Sequence, residues 1–140
     1  MARVTCAVFV YGTLKPGEAN YQAYCGGKVR SQTSVYTWAE LYALPVGYPA
    51  MIEGKNKVYG VLLKFDDPLV LNSLDRLEDY QPQRASDLNE YERQLVSVYS
   101  FGDRLLGQAW AYYMTRAKVR QYRGVKVASG CWTSSFQAKC

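Results

Sequence analysis

The sequence predicts one α+β domain in which a closed or nearly closed β-sheet is flanked by short helices. The chain has 140 residues, which suits a single domain over residues 1–140 with a core of its own. Hydrophobic residues make up 49% and charged residues 21%, a composition typical of globular proteins. Several runs of β-branched and aromatic residues surround one or two short helical patterns, which is the arrangement expected of an α+β domain.

The first half of the chain predicts strands separated by glycine and proline. Residues 4–10 are apolar and partly β-branched, so they predict a buried strand. Residues 11–17 contain two glycines and a proline and predict a loop, followed by a short helix over 18–25. Further strands are predicted within 28–53, with a break at 47–49, and at 58–65.

The second half predicts a helix, a polar loop and a β-hairpin. Asp66-Asp67-Pro68 can cap a helix that continues to about Tyr80, because proline is accepted in a first helical turn. Pro82 then discourages the helix from continuing. The remaining predicted elements are a loop at 81–90, strands at 91–101 and 104–114 around a turn at 102–103, a short helix at 115–123 and an irregular end.

Glu78 is the first candidate for chemistry, because it shares the edge of an apolar helical face. Leu71, Leu74 and Leu77 recur at helical spacing in the predicted 66–80 helix, and Glu78 follows Leu74 by four residues. Burial at that position would raise the pKa of the carboxyl group. The negative charge of Asp75 and the helix C-terminus would act in the same direction. A carboxyl group adjusted towards neutral pH suits general acid–base catalysis.

Two other environments for Glu78 stay open from the helical pattern. The side chain could turn out to solvent at the helix end. It could also pair with an arginine such as Arg76 or Arg93. Periodicity does not distinguish these arrangements from a carboxyl group in a cleft.

The glycine loop is the second candidate, as a binding element for an anion. Tyr11-Gly12-Thr13-Leu14-Lys15-Pro16-Gly17 follows a predicted strand and places several backbone N–H groups in a tight turn. Such a turn can hold a small carboxylate without an arginine. The loop matches neither the Walker motif nor G-x-G-x-x-G, so it does not favour nucleotide binding, and an ordinary structural turn is the alternative.

The absence of histidine and the spacing of the cysteines exclude several kinds of catalytic and metal site. The chain has no histidine, which excludes Ser-His-Asp and Cys-His catalysis and most metal sites built on imidazole. Its four cysteines match no C-x-x-C pair or zinc pattern, and we expect free thiols in a reducing cytoplasm, with a disulfide framework as the alternative. The apolar N-terminus continues into the glycine loop without a cleavage site, so we expect a strand there and no signal peptide.

Positive charge is concentrated after Asp103, where no acidic residue follows. The net charge of +5 comes from 17 basic and 12 acidic residues. Such a skew can mark a nucleic-acid surface, whose binding would weaken steeply with salt. No nucleic-acid motif accompanies it, so we expect a solvated basic face and no nucleic-acid partner.

Taken together, the landmarks of the chain resemble those of the gamma-glutamyl cyclotransferase-like family. They occur in the family order over roughly residues 5 to 134. The matching segments are Phe9-Val10-Tyr11-Gly12-Thr13-Leu14-Lys15-Pro16-Gly17, Gly47-Tyr48-Pro49-Ala50, Val58-Tyr59-Gly60-Val61-Leu62, Leu74-Asp75-Arg76-Leu77-Glu78-Asp79-Tyr80, Tyr91-Glu92-Arg93-Gln94-Leu95-Val96-Ser97-Val98 and Ala109-Trp110-Ala111-Tyr112.

The resemblance implies a small mixed β-barrel flanked by helices, with a cavity between the glycine loop and the helix end. It implies that backbone groups of Tyr11, Gly12, Thr13 and Leu14 hold the substrate's α-carboxylate. It also implies that Glu78 is the catalytic glutamate and that Tyr112 lines the pocket. The family often has glycine-aspartate-tryptophan near the C-terminus, whereas this chain departs from it with Gly130-Cys131-Trp132.

The implied reaction converts a gamma-glutamyl amide into 5-oxoproline and a free amine. It needs no metal, cofactor or outside nucleophile, which suits a chain without histidine. The expected partner is a small gamma-glutamyl compound, in the cytoplasm and without a membrane. A small-molecule-binding protein on the same scaffold, without turnover, is the alternative.

Overall fold

The computed structural model describes residues 6–134, which form a mixed barrel with three short α-helices. The sheet holds six strands, and a short 3-10 helix spans Ser86–Leu88. In chain order the elements are β1 (Cys6–Val10), α1 (Tyr21–Cys25), β2 (Val29–Ala43), β3 (Pro49–Phe65), α2 (Val70–Leu77), β4 (Glu92–Ser100), β5 (Leu105–Tyr113), α3 (Arg116–Gln121) and β6 (Val125–Lys126).

Five strands close the barrel, and β6 extends it along β2. The strands follow the order β3-β1-β5-β4-β2, and a further pairing of β2 with β3 completes the ring. The β1–β5 pair is parallel and the other pairs are antiparallel. The predicted α+β class with a closed mixed barrel is therefore confirmed.

The two long strands β2 and β3 form most of the barrel wall. Their antiparallel ladder runs from Val29 paired with Phe65 to Ala43 paired with Pro49, with two irregularities, one between Val29 and Ser31 and one between Ala39 and Glu40. Their β-branched and aromatic residues suit a pleated, half-buried surface. Gly60 lies beside the end of the β1–β3 ladder, next to the Val10–Val61 pair, and a Cβ there would come within 2.3 Å of the Val10 carbonyl oxygen. Only glycine permits this close approach of two backbones.

Three elements of the structure differ from the secondary structure predicted from the sequence. The helix predicted from residue 66 begins at Val70, since the Asp67 carboxylate accepts a hydrogen bond from the Leu69 N–H at 2.9 Å and forms a turn first. The predicted strand at 58–65 is the second part of one continuous strand, β3. The two-residue strand β6 was not predicted, because two residues are too short to show a periodicity.

The cysteines follow the expectation in part. Cys6 and Cys25 are buried free thiols. Cys131 is disulfide-bonded, so the expectation of a free thiol is wrong at this position. Cys140 lies outside the described residues. Among the helices of residues 6–134, none is long and apolar enough to span a membrane.

Candidate active site

A cavity of about 190 Å³ opens between the glycine loop and the C-terminal end of α2. All six site residues named from the sequence line it, and they come from three parts of the chain: the glycine loop after β1, the end of α2, and β5. These residues are Tyr11, Gly12, Thr13, Leu14, Glu78 and Tyr112. The barrel closure brings them together, because β1 lies between β3 and β5.

Three backbone donors of the glycine loop face no acceptor among the described residues. Within residues 6–134, the N–H groups of Gly12, Thr13 and Leu14 donate to no other backbone group. The loop is anchored by Asn20, whose backbone N–H donates to the Thr13 carbonyl at 2.8 Å and whose Nδ2 donates to Thr13 Oγ1 at 2.9 Å. A fixed loop with unused N–H groups beside a cavity is suited to hold an anion.

Gly12 is required at this position because Pro49 packs directly over it. A Cβ at residue 12 would come within 2.6 Å of Pro49 Cγ and 2.9 Å of Cδ, and the proline ring has little freedom to move. We therefore expect Gly12→Ala to displace the loop and to weaken ligand binding by roughly tenfold or more, as misplaced site geometry commonly does. Isothermal titration with a ligand of the cavity measures this.

Gly102 provides the matched control for that substitution. A Cβ there would meet nothing closer than Ser100 Oγ at 3.7 Å. Gly102→Ala should leave ligand affinity unchanged, and equal losses in the two variants would contradict the role assigned to the Gly12–Pro49 contact.

The Tyr11 side chain supports the site through its hydroxyl group. That hydroxyl donates to the Tyr112 carbonyl at 2.6 Å and accepts from the Met51 N–H at 3.2 Å. It thereby joins the end of β1 to β5 and β3 in the barrel interior. The hydroxyl is used internally, so the contribution of Tyr11 to the cavity comes from its backbone and ring.

Glu78 lies at the C-cap of α2 and is held there by a Schellman motif. The Tyr80 N–H donates to the Asp75 carbonyl at 2.9 Å, and the Asp79 N–H donates to the Arg76 carbonyl at 3.3 Å. Asp79 takes the left-handed conformation, with a φ of 54°, at the position where glycine is usual. Arg84 stabilises this turn by donating to the Asp79 carbonyl at 2.7 Å and to its carboxylate at 3.0 Å.

Burial raises the pKa of Glu78 to about 8, and the charge of Glu90 adds to this effect. The neighbour that acts is therefore Glu90, whereas the sequence indicated Asp75. Arg93 pairs with Asp75, with 2.8 Å between Nη1 and Oδ2, and so is not the partner of Glu78. Within residues 6–134, no ion pair or hydrogen bond engages the Glu78 carboxyl group.

Tyr112 borders the cavity while its hydroxyl group points to a neighbouring carboxylate. The hydroxyl donates to Asp75 Oδ1 at 2.7 Å. Burial and this hydrogen bond raise the pKa of Tyr112 above its ordinary value, so the phenol remains neutral. Asp75 thus connects α2 to β4 through Arg93 and to β5 through Tyr112, and these contacts fix the helix that carries Glu78.

The cavity has eight further lining residues that were not identified as site residues from the sequence, and four of these have polar side chains: Asn20, Tyr48, Glu90 and Tyr91. Glu90 lies in the loop predicted at 81–90, where no periodicity marks a residue as special. The Tyr91 hydroxyl donates to the Pro49 carbonyl at 2.7 Å and so joins this lining residue to the start of β3. Among the described residues, no three His, Cys, Asp or Glu side chains are grouped as metal ligands.

Comparison with known proteins gives the family. The family model described as "Gamma-glutamyl cyclotransferase, AIG2-like" matches residues 8–134. The chain belongs to this family. It is 32% identical over 105 residues to a Vibrio cholerae protein named "Putative gamma-glutamylcyclotransferase", an alignment that covers 75% of this chain and 78% of that protein.

Solved structures share the fold at lower identity. An AIG2-like protein from Mus musculus superposes with a TM-score of 0.71 at 19% identity, covering 95% of this chain and 91% of that one. YkqA from Bacillus subtilis superposes with a TM-score of 0.66 at 23% identity over 92% of this chain. The chain spans 40% of the length of YkqA. At these identities the superpositions show the family fold.

Proposed function

We propose that this protein cyclises a gamma-glutamyl amide to 5-oxoproline and releases the free amine. In this reaction the substrate's α-amine nitrogen bonds to its own γ-carbonyl carbon, and the amide C–N bond to the leaving amine breaks. The α-amine loses one proton and the leaving nitrogen gains one, so the reaction is balanced without a redox partner or water. The membership of the family supports an enzyme of this type.

The observation that carries the proposal is the position of Glu78 in the same cavity as the unused N–H groups of the glycine loop. The loop supplies donors for a carboxylate, and Glu78 supplies a carboxyl group that exchanges protons near neutral pH. A gamma-glutamyl head group presents both a carboxylate and an ammonium, so its two ends match these two elements of the site.

Glu78 performs both proton transfers in this proposal. As a base it takes a proton from the α-ammonium group, which gives the neutral amine that attacks, and as an acid it gives that proton to the leaving nitrogen. The second proton, which the attacking nitrogen loses on forming the lactam, follows by the same carboxyl group, so the amine leaves as an ammonium ion. A pKa of about 8 suits both roles, because neither protonation state is strongly disfavoured near neutral pH. The reacting groups belong to one molecule, so holding the head group by the loop N–H groups of Gly12, Thr13 and Leu14 supplies the orientation.

The test is mass-spectrometric detection of 5-oxoproline after incubation of the wild-type protein with gamma-glutamyl compounds. The panel comprises gamma-glutamyl amino acids, gamma-glutamyl-ε-lysine, gamma-glutamyl amines and glutathione. We expect 5-oxoproline from at least one compound. The matched control is a glutaryl amide, which lacks the α-amine and so cannot cyclise.

The same panel separates catalysis from binding. Isothermal titration is run with each compound in parallel with the product assay. A folded protein that binds gamma-glutamyl compounds without forming 5-oxoproline would overturn the proposed activity and would establish a binding protein on this scaffold.

A further inference from the structure

We propose that Glu90 is a second substrate-binding carboxylate of the cavity and that it takes an ammonium group of the ligand. This inference rests on the proposed function, because it concerns the ligand of the same site. Glu90 lines the cavity together with Glu78, although the two residues come from different segments, the end of α2 and the loop before β4. Their segments are joined where the Glu90 N–H donates to the Asp79 carbonyl at 3.1 Å.

The Glu90 side chain is held in place by two tyrosines. The Tyr48 hydroxyl donates to Glu90 Oε1 at 2.6 Å, and the Tyr122 hydroxyl donates to the same oxygen at 2.9 Å. Tyr48 precedes β3 and Tyr122 follows α3, so three parts of the chain fix this carboxylate. The hydrogen bond to Glu90 is the largest cause that raises the pKa of Tyr122, and burial is the largest cause that raises that of Tyr48. Both phenols remain neutral donors.

One oxygen of Glu90 remains for a ligand. Both tyrosines bind Oε1, and within the described part of the chain Oε2 accepts no hydrogen bond from the protein. A carboxylate only accepts hydrogen bonds, so a partner for Oε2 must be a donor. The described residues that line the cavity include two glutamates and no lysine or arginine. A cationic donor therefore meets no competing positive side chain there.

The ligand offers this chemistry at two places. The gamma-glutamyl head group carries an α-ammonium group. If the amine part of the ligand is a diamine, its free end carries a second ammonium group in the tail. Both are ammonium donors, and a charge-assisted hydrogen bond to Glu90 Oε2 would bind either one. Glu90 would recognise the head of the ligand in the first case and its tail in the second. Probes that carry only one of the two ammonium groups distinguish these cases.

The experiment measures equilibrium binding of three related probes by isothermal titration to the wild type and to Glu90→Gln. Glutaramate has no ammonium group, L-glutamine has one at the head, and N-(4-aminobutyl)glutaramate has one in the tail. Glutamine retains an acceptor for the hydroxyl groups of Tyr48 and Tyr122, so the variant keeps the local framework. We expect it to weaken one cationic probe by roughly 10- to 100-fold and to leave glutaramate unchanged.

The pattern of losses assigns the ammonium group. A loss confined to L-glutamine assigns the contact to the head, and a loss confined to the tail-cation probe assigns it to the tail. Glu92→Gln is the matched control, because Glu92 lies two residues further on, at the start of β4, and does not line the cavity. Its Oε1 accepts from Asn89 Nδ2 at 3.2 Å, a bond that glutamine can also accept.

Two results would overturn the role of Glu90. One is equal binding of every probe to the wild type and the variant. Failure of both cationic probes to bind the wild type at roughly millimolar concentration, the range of weak metabolite binding, counts as the same result. The other is an equal loss for all three probes, which would indicate a structural effect of the substitution. Glutaramate and the tail-cation probe cannot cyclise, so their binding is independent of whether the protein turns over a substrate.

Discussion

Replacing Glu78 by glutamine is expected to lower 5-oxoproline release by about 10²- to 10⁴-fold, the usual contribution of one general acid–base group. Glutamine has nearly the same shape and cannot exchange a proton in this pH range. Within residues 6–134, the Glu78 carboxyl group makes no hydrogen bond or ion pair, so the substitution leaves the surrounding contacts in place. The measurement is the turnover rate of the variant beside Glu92→Gln, which should keep wild-type activity.

The same variant carries a stability signature that separates lost chemistry from lost folding. The pKa of Glu78 is about 8 in the folded protein against 4.5 ordinarily, so its neutral form is favoured by folding. The wild type is therefore most stable, as far as this group is concerned, below pH 4.5, and it loses stability as the pH rises towards 8. Each pKa unit corresponds to about 1.4 kcal/mol.

We therefore expect Glu78→Gln to be more stable than the wild type at pH 9, by a few kcal/mol, and similar to it near pH 4.5. Urea unfolding at the two pH values measures the difference. A variant that loses activity and is also destabilised at pH 9 would show that Glu78 supports the fold, which contradicts the account of a partly buried carboxyl group without a protein partner among the described residues.

Replacing Arg93 by alanine is expected to destabilise the protein by about 3–5 kcal/mol, because one partner of a largely buried ion pair is left without its counter-charge. The Arg93 and Asp75 side chains are 18% and 15% exposed. Arg93 also packs over the ring of Trp110, with 4.7 Å between its guanidinium carbon and the ring centre, so alanine loses packing as well as charge. Urea unfolding at pH 7 measures this loss.

The matched control for Arg93 is an exposed pair of the same chemistry. Arg30 and Asp66 lie 3.3 Å apart with side chains 47% and 53% exposed. Arg30→Ala should cost about 0–1 kcal/mol, because solvent screens the pair. A loss in Arg93→Ala no larger than that in Arg30→Ala would contradict the view that the Asp75–Arg93 pair fixes α2 against the barrel.

Local patterns in the sequence predicted much of the fold. Runs of β-branched residues marked β1, β3 and the hairpin, and glycine and proline marked the loops between them. The spacing of Leu71, Leu74 and Leu77 placed Glu78 at the edge of the buried helical face. Closure of the barrel depends on which strands pair, and that is decided by long-range packing.

The electrostatics of the site could not be predicted for the same reason. Asp75 is three residues from Glu78 and was the expected charged neighbour, yet Arg93 and Tyr112 engage its carboxylate. Glu90 is twelve residues away and lies in a polar loop without periodicity. The turn at Asp79 brings its backbone beside Glu90, and a left-handed aspartate at a helix end leaves no reliable local signal.

The most direct test of the central claim is the pH dependence of kcat/KM for 5-oxoproline release by the wild-type protein between pH 5 and 10. If Glu78 acts first as a base with the pKa that burial gives it, the rate should rise with pH through an apparent pKa of about 8. A rate that is already maximal at pH 6, with its rise near the ordinary glutamate pKa of 4.5, would contradict the assignment of Glu78, with its raised pKa, as the proton carrier.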